Sequence, residues 1–322
     1  MTPEQWQEVK KVLAGALERT PQERSAYLDQ FCAEPALRRE VESLIAAHGR
    51  EESTFMEGPA LPGGEALAGG TRLGRYEILA PLGAGGMGEV YQARDVQLDR
   101  SVAIKILPTA FSEDSDRLHR FEREARSASA LNHPNIVTIY ELGQHGSIHY
   151  IAMELVEGKT LRELLAAGLL PIRKAIEIAA QTADGLAKAH EAGIAHRDIK
   201  PANLMVSHDG FVKILDFGLA KAALPGGDLS EARTISGWHT GPGLAVGTVQ
   251  YMSPEQGSGS QIDFRSDQFS FGLVLYEMVT GKHAFQRNTP AETLVAILRE
   301  QAEPIGAKNP EVPAPLCWAI ER

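Results

Sequence analysis

The segment LGAGGMGEVY, Leu82 to Tyr91, sets four glycines within six positions directly ahead of a run of β-formers. Gly83, Gly85, Gly88 and Val90 fit G-x-G-x-x-G-x-V, and the three glycines alone also fit the dinucleotide fingerprint. A dinucleotide site needs its glycines to open a helix inside a βαβ unit, with an acid about 20 residues further on. Here they run into EVYQA, a strand pattern, so the segment is the turn of a β-hairpin and that reading fails. No G-x-x-x-x-G-K-[ST] surrounds these glycines, which removes the P-loop as well. Two readings remain. One is a plain turn, and the other is a flap of main-chain N–H groups over phosphates, in which Gly85 and Gly88 admit a close approach that a Cβ would block.

A phosphate flap needs a cation, and Lys105 ends the next strand pattern, VAIK. A buried lysine needs an acid in turn. The charged segment RFEREARSASAL offers Glu124, with Glu122 as rival. Phe121, Ala125 and Ala128 mark its inward face; Glu124 adjoins that face and Glu122 points elsewhere, so Glu124 is the expected partner of Lys105. Taken singly, Lys105 is simply a solvated lysine at a strand end.

The rest of the chain falls into three stretches. Thr2-Pro3-Glu4-Gln5, Thr20-Pro21-Gln22-Glu23 and Pro35 each open a pattern of apolar residues at spacings of three and four, which predicts three short helices over residues 1–50. Residues 51–70 lose that periodicity and hold five glycines and two prolines, the composition of a linker. We place the linker over 51–75 and a second domain over 76–322. Strand patterns come first in that domain (YEILAPL, GEVYQARD, RSVAIKIL, IVTIYELGQ, HYIAMELV), and helical patterns dominate from Thr160 onward. A strand-rich small lobe joined to a helix-rich large lobe is an α+β, two-lobed fold.

Charge and cysteine content narrow the setting. The net charge of −10 is shared evenly between residues 1–70 and the remainder, so neither part is a basic module for nucleic acid. Cys32 and Cys317 are far apart and form no disulfide framework, which suits a reducing cytoplasm. No run of about 18 apolar residues crosses a bilayer, and we expect a cytoplasmic chain, with tethering through a region beyond residue 322 left open.

HRDIKPAN at His196 to Asn203 and DFG at Asp216 to Gly218 stand in order after the glycine loop and VAIK. Together these four motifs resemble the eukaryotic-like serine/threonine protein kinases of bacteria, from about Tyr76 to the end. The resemblance implies ATP and Mg²⁺ as cofactors and Ser/Thr hydroxyls of proteins as acceptors. On it, Asp198 takes or orients the acceptor's proton, Lys200 neutralises the moving phosphoryl group, Asn203 and Asp216 hold Mg²⁺, and Lys105 with Glu124 holds the α and β phosphates. The flap would comprise Leu82, Gly83, Ala84, Gly85, Gly86, Met87 and Gly88. Val90, Ala103, Met153 and Met205 would line the adenine pocket, with the main chain of Glu154 and Val156 facing the base.

The resemblance also implies regulation. Thr240 is the expected main phosphosite, with Thr234 and Ser236 next, and Arg197 is the cation that would pair with the phosphate. Thr248 is expected to contact the catalytic loop. Asp267 resembles the buried acid that braces that loop. Glu255 in SPE would pair with an arginine on a last helix, so the chain is expected to lack its last helices. A pseudokinase scaffold and a small-molecule kinase are the competing readings. The first is opposed by the completeness of the motifs, the second by the GTVQYMSPE peptide platform. The partner of residues 1–50 stays unknown.

Overall fold

A sheet covered on both faces makes up the small lobe. The computed structural model describes residues 28, 67–85, 88–108, 115–217 and 249–322. The chain divides into two compact units, Met1–Glu65 and Ala66–Arg322. In the first, only Leu28 is among the described residues, so the helices expected over 1–50 lie outside them. In the second, strands β1 (Arg72–Leu73), β2 (Tyr76–Gly85), β3 (Gly88–Asp95), β4 (Arg100–Ile106), β5 (Ile139–His145) and β6 (Ile148–Glu154) form one antiparallel sheet of order β1-β2-β3-β4-β6-β5. Leu67 already joins this lobe through its N–H to the Tyr91 hydroxyl (3.0 Å), upstream of the boundary placed at residue 75.

Both faces of the sheet are covered. Val102 and Ile104 of β4 pack with Tyr76, Ile78, Tyr91, Ala93, Tyr150 and Ala152 on one face. The intervening Ala103, with Ile151 and Met153 of β6, packs against Phe121 and Ala125 of helix α1 (Ser115–Ser129) on the other. Strand period two therefore sends Lys105 to the helix side, next to Ala103, where only 4% of it is exposed.

The β2–β3 hairpin closes with Gly85 opposite Gly88. Gly88 has φ 114°, and a Cβ there would sit 1.8 Å from the Ile106 carbonyl oxygen. Sequence reasoning reserved that space for phosphate; at Gly88 the neighbouring strand's own backbone already requires glycine.

The large lobe is built on helix α3 (Ile172–Glu191) and helix α5 (Phe264–Thr280), which α2 (Leu161–Ala166) and the short α4 (Pro254–Ser258) accompany. On α3 the buried residues Ala175, Ile178, Thr182, Leu186 and Ala189 recur at three and four, one helical face. On α5 the buried set runs almost unbroken from Leu273 to Val279, as suits a helix enclosed by its neighbours. In a small sheet of β7 (Gly158–Thr160), β8 (Leu204–Ser207) and β9 (Val212–Ile214), the β8–β9 hairpin links the segment ending at Asn203 to the one that begins at Asp216. Helices α6 (Pro290–Arg299), α7 (Ile305–Lys308) and α8 (Ala314–Ile320) complete the described chain.

Candidate active site

The loop from His196 to Asn203 is held from beneath. Asp267, in the first turn of α5 and 1% exposed, accepts the N–H of His196 (2.7 Å), the N–H of Arg197 (2.6 Å) and the Nε2–H of His190 (2.8 Å). Burial pushes its carboxyl up, but the hydrogen bond from His190 and the two main-chain donors outweigh burial and hold it below the usual range. This is the brace expected of Asp267. It fixes Arg197 at φ 67°, a left-handed conformation uncommon for a residue with a side chain.

From that base the polar groups converge. Lys200 Nζ lies 2.8 Å from Asp198 Oδ2, and Asn203 Nδ2 donates to Asp198 Oδ2 (3.0 Å) and to its carbonyl (2.8 Å). The Leu215 N–H donates to the Asn203 carbonyl (2.9 Å), which ties the loop to the segment that delivers Asp216. His196, fully buried, accepts the Asp198 N–H at Nδ1 (3.2 Å), and its Nε2 meets the Leu215 carbonyl at 2.7 Å. The Phe217 ring packs on its imidazole at 4.7 Å.

Lys105 reaches this cluster from the small lobe, and its ion pair is with Asp216 Oδ2 at 2.8 Å. Burial pushes the Asp216 carboxyl up, yet Lys105, with Lys200 behind it, holds the group below its ordinary value. Glu124, expected opposite Lys105, instead lies 3.6 Å from Arg197 Nη1. The expectation took the inward helix face correctly, but periodicity fixes only which way a side chain points about the helix axis. Where the helix sits along the cleft decides which cation it meets. Arg197, expected to await a phosphate, thus already faces a carboxylate.

Val90, Ala103, Met153 and Val156 belong to one apolar cluster, as the adenine-pocket reading expects. Leu215 and Leu155 join it. Sequence reasoning missed Leu215, although its place directly before Asp216 was the available signal. Leu82 is 51% exposed at the rim, and Met205 is half-buried on β8. The Glu154 N–H is taken by the Thr138 carbonyl (2.9 Å), while among the described residues no main-chain group engages Val156. The Glu154 carboxylate pairs with Lys213 at 2.8 Å. Gly83 and Ala84 lie in β2; Gly86, Met87, Gly218, Thr234, Ser236, Thr240 and Thr248 lie outside the described residues. Glu255 accepts the Ser266 hydroxyl at 2.5 Å, a partner within this chain that the sequence reading did not consider.

Two oxygen donors suit a hard cation here. The Asn203 amide nitrogen is committed to Asp198, which leaves its Oδ1 for a cation, and Asp216 keeps 23% of its side chain exposed. No cluster of three or more His, Cys, Asp or Glu side chains with metal-site geometry occurs among the described residues. The set therefore fits Mg²⁺, which takes one or two protein ligands and completes its shell from phosphates and water.

Comparison with known proteins agrees with this geometry. The protein kinase domain family model matches residues 76–315. The chain is 44% identical over 243 residues to the serine/threonine-protein kinase PrkC of Bacillus subtilis, covering 74% of this chain and 36% of that protein. It is 41% identical over 247 residues to the serine/threonine-protein kinase PknB of Mycobacterium tuberculosis, covering 75% and 38%. The chain thus spans little more than a third of the length of these relatives. Among solved structures, the kinase domain of Mycobacterium tuberculosis PknI superimposes with a TM-score of 0.61 at 26% identity, over 80% of this chain and 90% of that one. Among the described residues no helix is long and apolar enough to cross a membrane.

Proposed function

The chain belongs to the protein kinase family, and from that membership we propose that it transfers the γ-phosphoryl group of Mg-ATP to Ser and Thr hydroxyls of proteins, those of its own residues 218–248 included. The observation that carries the reading is the convergence of Lys200 and Asn203 on Asp198 Oδ2, with Lys105 against Asp216 across the same cleft.

Asn203 Oδ1 and Asp216 would hold Mg²⁺, whose chemistry there would be neutralisation of phosphate charge. Asp198 is held by Asn203 in a fixed orientation and accepts the proton of an incoming hydroxyl. Lys200, 2.8 Å from Asp198, carries positive charge to the transferring group. Lys105 leaves Asp216 for the α and β phosphates when nucleotide binds, and Glu124 then becomes available to it in place of Arg197. Arg197, once released, is the cation for phosphorylated Thr240. Val90, Ala103, Met153, Val156 and Met205 supply the apolar faces for adenine, under the flap from Leu82 to Gly88. We take the acceptors to lie on cytoplasmic proteins.

The test is transfer from γ-labelled ATP to Ser/Thr peptides and to the chain itself, with the modified residues mapped by mass spectrometry. Lys105→Met and Asp198→Asn are each expected to lower turnover by at least about two orders of magnitude while the fold persists, because each removes a charge that acts on the reacting complex. Turnover near that of the unaltered chain in either variant would sink the assignment.

A further inference from the structure

The carbonyl of Arg197 is the last main-chain acceptor before Asp198, and a side chain from outside the catalytic loop takes it. Gln256 Nε2 donates to that oxygen over 2.7 Å. The other end of the same carboxamide, Oε1, accepts the Ser253 N–H at 2.8 Å, and Ser253 Oγ accepts the Gln256 N–H at 3.3 Å. These last two bonds are a reciprocal capping box at the start of α4.

A capping box is served equally by glutamate or glutamine at its third helical position. A carboxylate there would close the box but has no proton to give a carbonyl; a carboxamide accepts and donates at once. The box alone therefore leaves the choice of amide unexplained, and the bond to Arg197 accounts for it. That bond falls where it matters most. Arg197 sits at φ 67°, Asp267 grips its N–H, and Gln256 grips its C=O, so both hydrogen-bonding ends of the residue ahead of Asp198 are anchored.

We infer that Gln256 is a positioning residue for Asp198, through which the seating of α4 sets the orientation of the catalytic carboxylate. The inference rests on the kinase reading above for its consequence in turnover, and on geometry alone for its consequence in the loop.

Gln256→Glu tests it, because the substitution keeps the capping box and changes only the donor. When ionised, the carboxylate sets acceptor against acceptor; when protonated, it regains a donor for Arg197. At about pH 8 the variant is expected to lose about tenfold or more in kcat, with KM for ATP unchanged within about twofold, since misorientation alone is costly to a positioned reaction. The ratio of variant to unaltered kcat should climb as pH falls into the upper flank of the new carboxyl's titration, which the facing carbonyl raises above the usual value of about 4.3. Gln256→Leu should show the loss with no recovery on acidification. Amide hydrogen exchange across residues 196–203 gives a readout that needs no phosphoryl transfer. It should be faster in Gln256→Glu than in the unaltered chain at about pH 8 and should converge toward it on acidification. If exchange follows this pattern while neither chain transfers phosphoryl groups, the tie stands and the kinase reading falls. If the unaltered chain is an active kinase and Gln256→Glu matches it in kcat and exchange at every pH, the tie is overturned and the kinase reading stands.

Discussion

The two halves of the site are held by different kinds of contact. In the large lobe, the catalytic loop hangs on main-chain groups: Asp267 takes two backbone N–H groups, Gln256 takes a backbone carbonyl, and Asn203 bonds both the carbonyl and the carboxylate of Asp198. In the small lobe, Lys105 and Glu124 reach across through side-chain ion pairs, to Asp216 and Arg197. A side chain that bonds several groups of the loop at once leaves only by giving up all of them, whereas a side chain held by an ion pair exchanges partners by rotating. The difference suits the roles proposed above, in which the large lobe would fix the geometry of proton acceptance and the small lobe would supply charges that rearrange as nucleotide arrives.

The strongest way to break this contrast is Asp267→Ala. It strands two buried N–H groups and the His190 donor, and loss of a buried partner of this kind costs about 3 to 5 kcal/mol. A fall in melting temperature on the order of 10 °C is expected for a domain of this size, together with loss of turnover. A change in melting temperature within about 2 °C would show that the loop does not depend on its brace.

A smaller effect tests the pairing of Lys105 with Asp216 through pH. Asp216 is depressed in the folded chain, so its ionised form adds stability above the unfolded carboxyl value of about 3.9, and that stability is lost as pH falls below this value toward the folded one. In Lys105→Met, burial acts on Asp216 with its main opponent gone and pushes the carboxyl up. Such a group stabilises below its unfolded value and loses that contribution as pH rises through the folded one. The melting-temperature gap between the two chains should therefore be widest near neutrality and narrow on acidification. A gap that widens as pH falls would contradict the pairing. The effect is smaller than that of Asp267→Ala, because the partly exposed Asp216 stays within reach of water.

The smallest expected effect sharpens the contrast from the small-lobe side. Glu124 and Arg197, with 19% and 26% of their side chains exposed and 3.6 Å between them, form a partly solvated pair. A double-mutant cycle with Glu124→Gln and Arg197→Lys should give a coupling in stability of less than about 1 kcal/mol, weakened by salt. A coupling above about 2 kcal/mol would mean that this pair is a fixed strut and that α1 does not exchange partners.

The five strand patterns between Tyr76 and Glu154 were legible because alternation extends over seven residues or more in each. Strands β7, β8 and β9 have three or four residues, too few for a period to register, and they went unread. The helix of Phe264–Thr280 was legible from its length, although it is buried nearly all round. The motif residues Asp198, Lys200, Asn203, Asp216 and Lys105 lie together in the fold, each in a signature with its own spacing. What the sequence hid were partners set by tertiary placement. Glu124 turned out to face Arg197, and Ser266 to cap Glu255, because the translation of α1 and the crossing of α4 with α5 leave no trace in periodicity. Gln256 was not singled out from the sequence, since nothing in the string reveals its bond to Arg197.

The bonds of His196 determine which form of the ring this fold accepts. A carbonyl oxygen cannot donate, so the nitrogen facing Leu215 carries the proton; an amide N–H cannot accept, so the nitrogen facing Asp198 carries a lone pair. One neutral tautomer, protonated at Nε2, satisfies both. With no solvent exposure, the ring has no route to exchange that tautomer for the other without disrupting the loop. Its two nitrogens thus form a native spectroscopic label within the site. In a nitrogen-15 spectrum, one pyrrole-type and one pyridine-type signal from this ring would report that the amide of Asp198 and the strand leading to Asp216 are in register, with no substrate, nucleotide or added probe.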